Sequence, residues 1–310
     1  VTVQRGGVHD RWPGTLYDVE SGALKDAQQE VAARARALVD LQRADRETAE
    51  AGIASLVIAR SILRACAEVQ WVIEAGPEDL LTKQKMFAAV EDVAGSAKAV
   101  TSSASGLKPA DIAARCRRKQ RCLVAHPLNP PELVPLIELV PGPETDGALV
   151  DLVRGWLRAL GRVPVVIRKP VPGNVANRIA AAVWREAIQL VLDGVVDVDD
   201  LDRAVSVGPA LGWAAAGPHL TYHLGAGDRG VSGFLQQLLH TFETIWEDLP
   251  SWSKLEPEDQ RRLAHLVEQA YDEQVQVIRP ARDRRLAGIL RGLEQARERL
   301  STTGKAGEAG

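Results

Sequence analysis

The sequence predicts a parallel α/β domain over residues 1–170, an all-helical domain over 171–300 and a flexible tail over 301–310. Two observations carry this. Short β-type runs alternate with helix-periodic runs through the first half, which is how a parallel sheet with helices on both faces is written. After Ile167 no convincing strand follows, and Lys169-Pro-Val-Pro172 punctuates the change.

Strands are expected at 15–17, 56–59, 71–74, 99–102, 122–125, 137–140 and 163–167, each a compact apolar run. Between them the apolar positions recur at helical spacing over 23–41, 61–67, 80–93 and 149–160. In the second half Val175, Ile179, Val183, Trp184, Ile188, Val191 and Leu192 repeat on one helical stripe. The acids of 197–200 offer an N-cap for the next helix, and Pro257-Glu-Asp259 opens a later, long one. The small polar tail after Ser301 is expected to fray.

Composition narrows the function. With 45% hydrophobic residues, 25% charged residues and a net charge of -3, nothing points to nucleic acid or an anionic membrane as the main partner. Cys66, Cys116 and Cys122 cannot build a disulfide framework and match no zinc spacing, so free thiols in the cytoplasm are expected. No apolar run nears the ~18 residues of a membrane span. His219 and His223 stand four apart but no H-E-x-x-H pattern accompanies them, so no metal is expected. The run Arg117-Arg-Lys-Gln-Arg121 reads as a solvated loop.

A cofactor signal sits early. Asp18 ends Thr-Leu-Tyr-Asp and is suited to accept from a ribose diol, although a strand-end or capping aspartate is an equally ordinary reading. Glu20 follows, and the nearest basic side chain downstream is Lys25, which favours NAD over NADP. The dinucleotide fingerprint, however, needs a strand, a G-x-G-x-x-G turn and a helix before that acid. Gly6-Gly7 and Pro13-Gly14 do not supply it. The expectation is therefore a Rossmann-like domain that is N-terminally incomplete, lacking its first strand and glycine-rich loop, with an apolar sheet edge exposed there. The one literal G-x-G-x-x-G, Gly225 to Gly230, lies in the helical half without a preceding strand and reads as a flexible loop.

The chemistry concentrates in Ala125-His-Pro-Leu-Asn-Pro-Pro-Glu-Leu-Val-Pro-Leu-Ile-Glu138, which prolines stiffen. A histidine oriented by a buried carboxylate moves protons near neutral pH, so His126 and Glu138 are candidates for an acid–base pair. By itself a proline-flanked strand-end histidine is more often structural.

These residues carry a resemblance. Leu16-Tyr-Asp-Val19, Glu74-Ala-Gly-Pro-Glu-Asp-Leu80, Ser102-Ser-Ala-Ser-Gly-Leu107, the His126 and Glu138 blocks, Pro172-Gly-Asn-Val-Ala-Asn-Arg178 and Gly217-Pro-His-Leu-Thr-Tyr-His-Leu224 occur in an order similar to the 3-hydroxyacyl-CoA dehydrogenase superfamily. Within it the chain looks most like the L-gulonate 3-dehydrogenase (lambda-crystallin) branch, with L-carnitine dehydrogenase nearby. The resemblance implies an NAD-dependent dehydrogenase of a small 3-hydroxy acid that acts as a homodimer. It places the family's catalytic residues on His126, Glu138, Ser105 and Asn177, and its cofactor contacts on Asp18, Glu78 and Lys83. A 3-hydroxyacyl-CoA enzyme, with Arg34, Arg36, Arg43 and Arg46 near the CoA phosphates, is one alternative. A cofactor-less structural or binding protein is the other.

Overall fold

The strands form because their residues alternate between two apolar surroundings. In β4 (Trp71–Glu74), β5 (Ala99–Ser102), β6 (Cys122–Pro127) and β7 (Leu136–Pro141), one set of side chains points to each face. Val72, Val100, Val124 and Val140 pack on one side with Phe87, Val90 and Ile112. Trp71, Ala99, Leu123 and Leu139 pack on the other with Leu149, Val153 and Leu157. Both faces are thus covered, as a parallel sheet requires. The computed structural model describes residues 2–4, 14–271 and 275–306.

The sheet has eight strands in the order β3-β2-β1-β4-β5-β6-β7-β8, where β1 is Thr2–Gln4, β2 is Gly14–Leu16, β3 is Val57–Ile58 and β8 is Val163–Val166. β4, β5 and β6 run parallel, as do β2 and β3, and β7 with β8. Two departures from the expectation matter. The position of the missing first strand is filled: β1 bridges β2 and β4, so the sheet is continuous and no edge opens there. That strand runs antiparallel to both neighbours, unlike the opening strand of a dinucleotide fold. β7 is also antiparallel to β6.

Helices α1 (Ser21–Asp40), α2 (Arg46–Ser55), α3 (Ile62–Ala65), α4 (Leu80–Val93), α5 (Pro109–Ile112) and α6 (Gly147–Ala159) accompany these strands. Asp45, Asp79 and Asp146 cap α2, α4 and α6 through their carboxylates. After Val166 the chain is helical: α7 (Ala176–Leu192), α8 (Val198–Val207), α9 (Pro209–Gly225), α10 (Gly230–Asp248), α11 (Pro257–Ala270) and α12 (Val275–Ala306). Two compact units result, Val1–Arg178 with Asp283–Ala287, and Ile179–Arg282 with Gly288–Gly310. In the second, Val191, Val198 and Leu201 form a core with Leu266 and Ala270.

Two local expectations are corrected. Gly225 to Gly230 is no loose loop: a single 3-10 turn joins α9 to α10, and His223 Nδ1 accepts from the Val231 amide there at 3.1 Å. The basic run before β6 is not wholly solvated either. Arg121 is buried and donates to the carbonyls of Ala94 and Ala97, at the end of α4.

Candidate active site

His126 and Glu138 face each other across the one antiparallel pairing at this side of the sheet, as direct register partners. Their side chains share the face of Val124 and Val140, because each lies two residues from one of them. His126 Nδ1 and Glu138 Oε2 are 3.0 Å apart, and both residues are buried. The second carboxylate oxygen, Oε1, accepts the backbone N–H groups of Val175 and Ala176, each at 2.9 Å. An acceptor-only carboxylate facing Nδ1 selects the tautomer with the proton on Nδ1. Nε2 then carries the lone pair, and it has no hydrogen-bond partner among the described residues. Asn177 follows directly in the first turn of α7, with its side chain exposed.

Ser105 belongs to a second group at the ends of β4 and β5, where Glu74 pairs with Ser102 in register. Glu78 Oε1 accepts from the amides of Ser105 and Gly106, both at 2.9 Å, and from the Ser105 hydroxyl at 3.3 Å. Behind it lies a buried ion pair. Lys83 Nζ reaches Glu74 Oε1 at 3.0 Å, Glu74 Oε2 at 3.1 Å and the Gly76 carbonyl at 3.0 Å. Glu74 also accepts from the Ser102 hydroxyl at 2.5 Å and from the Gly76 amide. Lys83 and Glu74 are both wholly buried, so the close acceptors of this lysine are protein atoms.

Glu74, Ser102 and this ion pair escape a reading of the sequence. Glu74 looks like an acid closing a strand, and its partner comes nine residues later through a turn. Gly76 was the available signal. A Cβ there would stand 2.7 Å from Met86 Sδ and 2.9 Å from Glu74 Oε1, so the turn closes around a residue with no side chain.

Asp18 stands apart, two residues beyond β2, where its Oδ1 accepts the Glu20 amide at 3.0 Å. It lines a cleft with Tyr17, Lys25, Ile58 and Arg60. Arg60 is a basic neighbour that the linear sequence does not place beside Asp18. The ends of β2, β5 and β6 point to one edge of the sheet, which is where ligands of such sheets bind. Among the described residues this edge presents an acceptor carboxylate at Asp18 and an imidazole at His126 whose Nε2 has no partner. Among the described residues β1 runs antiparallel to β2 and β4, so its C-terminal end lies at the opposite edge.

Comparison with known proteins accords with this arrangement. A family model for the 3-hydroxyacyl-CoA dehydrogenase NAD binding domain matches residues 9–170, and one for the C-terminal domain of that enzyme matches 173–264. An L-carnitine dehydrogenase of Nocardiopsis dassonvillei is 32% identical over 257 residues, spanning 83% of this chain and 78% of that protein. One of Burkholderia mallei is 39% identical over 188 residues, spanning 60% and 59%. A solved structure of 5-formyl-3-hydroxy-2-methylpyridine 4-carboxylic acid 5-dehydrogenase, described as an NAD+ dependent dismutase, is similar at a TM-score of 0.75 and 26% identity, with 90% of each chain covered. Among the described residues no helix is long and apolar enough to cross a membrane, and no group of side chains is arranged to hold a metal. The chain belongs to the 3-hydroxyacyl-CoA dehydrogenase family, whose members are oxidoreductases that use NAD.

Proposed function

We propose that this chain oxidises the hydroxyl of a small, free 3-hydroxy acid of the carnitine or gulonate kind, with His126 as the base. The observation that carries the reading is the His126–Glu138 pair, with Nε2 left unpartnered. NAD, when bound, supplies the acceptor for the hydride. The protein's own part is proton transfer and orientation. His126 Nε2 takes the hydroxyl proton while Glu138 holds the Nδ1 proton and stabilises the imidazolium. Ser105 and Asn177 hydrogen-bond the substrate oxygen as it becomes a carbonyl. The N-terminus of α7 favours a substrate carboxylate. Asp18 accepts from the cofactor's ribose, and Glu78 and Lys83 belong to the cofactor side of the site.

In this reading residues 1–170 bind NAD and 171–300 carry substrate and dimer contacts. A homodimer is supported by exposed apolar side chains on α9 and α10, among them Leu211, Leu224, Leu235, Ile245 and Trp246. A cytoplasmic setting is supported by three buried, free cysteines. An acyl-CoA substrate is the second reading, favoured by the name of the matching family. Against it, Arg34 is bonded to Glu30 and Glu132, and Arg36 to Glu50, so two of the basic side chains suited to CoA phosphates are already engaged.

The test follows NADH formation with L-carnitine, L-gulonate, 3-hydroxybutyrate and 3-hydroxybutyryl-CoA, alongside melting with and without NADH. Turnover of a free acid and a raised melting temperature are expected. Preference for the CoA ester would select the second reading. An unmoved transition with no turnover would leave a cofactor-less binding protein.

A further inference from the structure

We infer that Cys116 and Cys122 form an oxidation site, a pair of buried thiols that a hydroperoxide converts to a disulfide at the first residue of β6. The inference is independent of the proposed reaction. The two cysteines end successive single 3-10 turns, Ala113–Arg115 and Lys119–Arg121. Glu91 folds the chain back between them, its two carboxylate oxygens accepting from the amides of Arg117 and Arg118 at 2.7 Å each. Both cysteines pack into one core with Val90, Ile112 and Val124. There Cys122 Sγ lies 3.8 Å from the Arg118 carbonyl, and its thiol faces the Cys116 sulfur as a hydrogen-bond donor. Sulfurs that share a hydrogen bond are about 2 Å of travel from the ~2.05 Å of an S–S bond.

The surroundings divide the pair into a nucleophile and a proton carrier. The bond from Cys122 holds the Cys116 thiol below its ordinary range despite burial, and the Arg121 charge acts in the same direction. The same bond, with burial, pushes the Cys122 thiol up. Arg121 has charge to spare for the pair. Its Nη1 serves the carbonyls of Ala94 and Ala97, while its Nε and Nη2 are buried with no hydrogen-bond partner among the described residues. Oxidation concentrates at a thiolate beside a cation and a resolving thiol. Cys66, in the same core, is only 1% exposed and burial raises its thiol, so it is the internal comparator. A cleft of about 50 Å³ lined by Ala113, Lys119, Cys122 and Thr145 has room for a molecule of hydroperoxide size.

The chemistry takes two steps. The Cys116 thiolate attacks one peroxide oxygen, the O–O bond breaks, and the other oxygen leaves and takes a proton. The Cys122 sulfur then displaces the hydroxyl of the Cys116 sulfenic acid, and its own proton departs with that hydroxyl as water. The peroxide gains two electrons and the two thiols lose two.

The test treats the folded full chain with hydrogen peroxide, quenches it, and counts maleimide labels by intact mass after unfolding. The count should fall from the three thiols of the untreated chain to one, and dithiothreitol should return it to three. Cleavage after glutamates leaves both cysteines on the peptide Asp92–Glu132 and Cys66 on another, so the disulfide should appear as the first peptide lacking two hydrogens. In Cys122→Ser, which keeps an O–H donor for the Cys116 sulfur, dimedone should mark Cys116 as a sulfenic acid. Three labels after peroxide, label lost from Cys66 instead, or a disulfide between two chains would overturn the inference. Dimedone absent from Cys116 in folded Cys122→Ser would overturn its role as the attacking thiol. Should that variant fail to fold, the count and the peptide map of the unmutated chain still decide whether the pair closes.

Discussion

Replacing Glu138 by Gln separates chemistry from folding more sharply than any other change. The side chain keeps its size, but one of its two acceptor oxygens becomes a donor NH2. Two orientations compete. If the amide oxygen stays on the Val175 and Ala176 amides, both 2.9 Å bonds survive and the NH2 faces His126 Nδ1. Nδ1 must then accept, its proton moves to Nε2, and the nitrogen that should receive the substrate proton is blocked. If the amide flips, His126 keeps its tautomer but two part-buried N–H groups face another donor. Each orphaned donor costs about 1–3 kcal/mol, so the flip is disfavoured by roughly 2–6 kcal/mol. The first orientation wins, with the wrong tautomer. A similarly wrong tautomer in a serine-protease triad lowers kcat about 10⁴-fold, so a fall of about 10³- to 10⁴-fold is expected here. The stability cost is one charge-assisted bond, about 1.5–3 kcal/mol. Steady-state NADH formation reads the first quantity and urea unfolding the second. A variant within about tenfold of the parent kcat would refute the argument that Glu138 sets the His126 tautomer, because about 10³-fold is the least it allows.

Two further changes address the framework. Lys83→Met leaves Glu74 as a wholly buried carboxylate without its cation, which should cost about 3–5 kcal/mol and lower the urea midpoint accordingly. Glu91 is buried, which raises its pKa, but the Arg117 and Arg118 amides, each 2.7 Å away, more than offset this and hold the carboxyl below its usual 4.5. A depressed folded value means the stabilisation is complete above the unfolded value and is lost as pH falls through the folded one. Glu91→Gln should therefore melt lower than the parent at neutral pH, with the gap closing on acidification below about 4.5; a gap that is constant across that range would contradict it.

Much of the sheet was legible because its strands are short apolar runs, and β4 and β5 lie at the expected limits. α2 was not, since Ala49 is its one buried residue and its apolar stripe is too thin to register. Its readable mark was a cap, Asp45 accepting the Thr48 amide at 2.7 Å. The direction of β1 was beyond reach, because three residues carry no pattern that distinguishes parallel from antiparallel pairing. Arg121 shows a different limit. A basic run reads as solvated, and nothing local announces that two carbonyls at the end of α4 will accept its guanidinium. In the site, the residue types of His126 and Glu138 were visible, whereas the Lys83–Glu74–Glu78–Ser105 connections depend on turns that the chain does not spell out.

The reversal of β7 explains why the proposed acid–base pair could be suspected from sequence and yet not placed. Parallel strands send their loops to one edge, where Glu74 of β4 meets Ser102 of β5 across strands that a helix separates along the chain. An antiparallel neighbour puts one residue directly opposite another, with Cβ atoms about 4.5–5.5 Å apart. That spacing suits an imidazole and a carboxylate meeting at 3.0 Å. Twelve positions separate the two residues, and the segment between them fixes which residue of β7 meets His126. A slip of one residue would move Glu138 to the opposite face, among Leu123 and Leu139, and turn a buried paired carboxylate into a buried unpaired one. The same slip would strip the Val175 and Ala176 amides of their acceptor. Register therefore binds the geometry of the proposed acid–base pair to the stability of the hairpin: the strand pairing that buries Leu139 and Val140 is also what holds His126 to one tautomer.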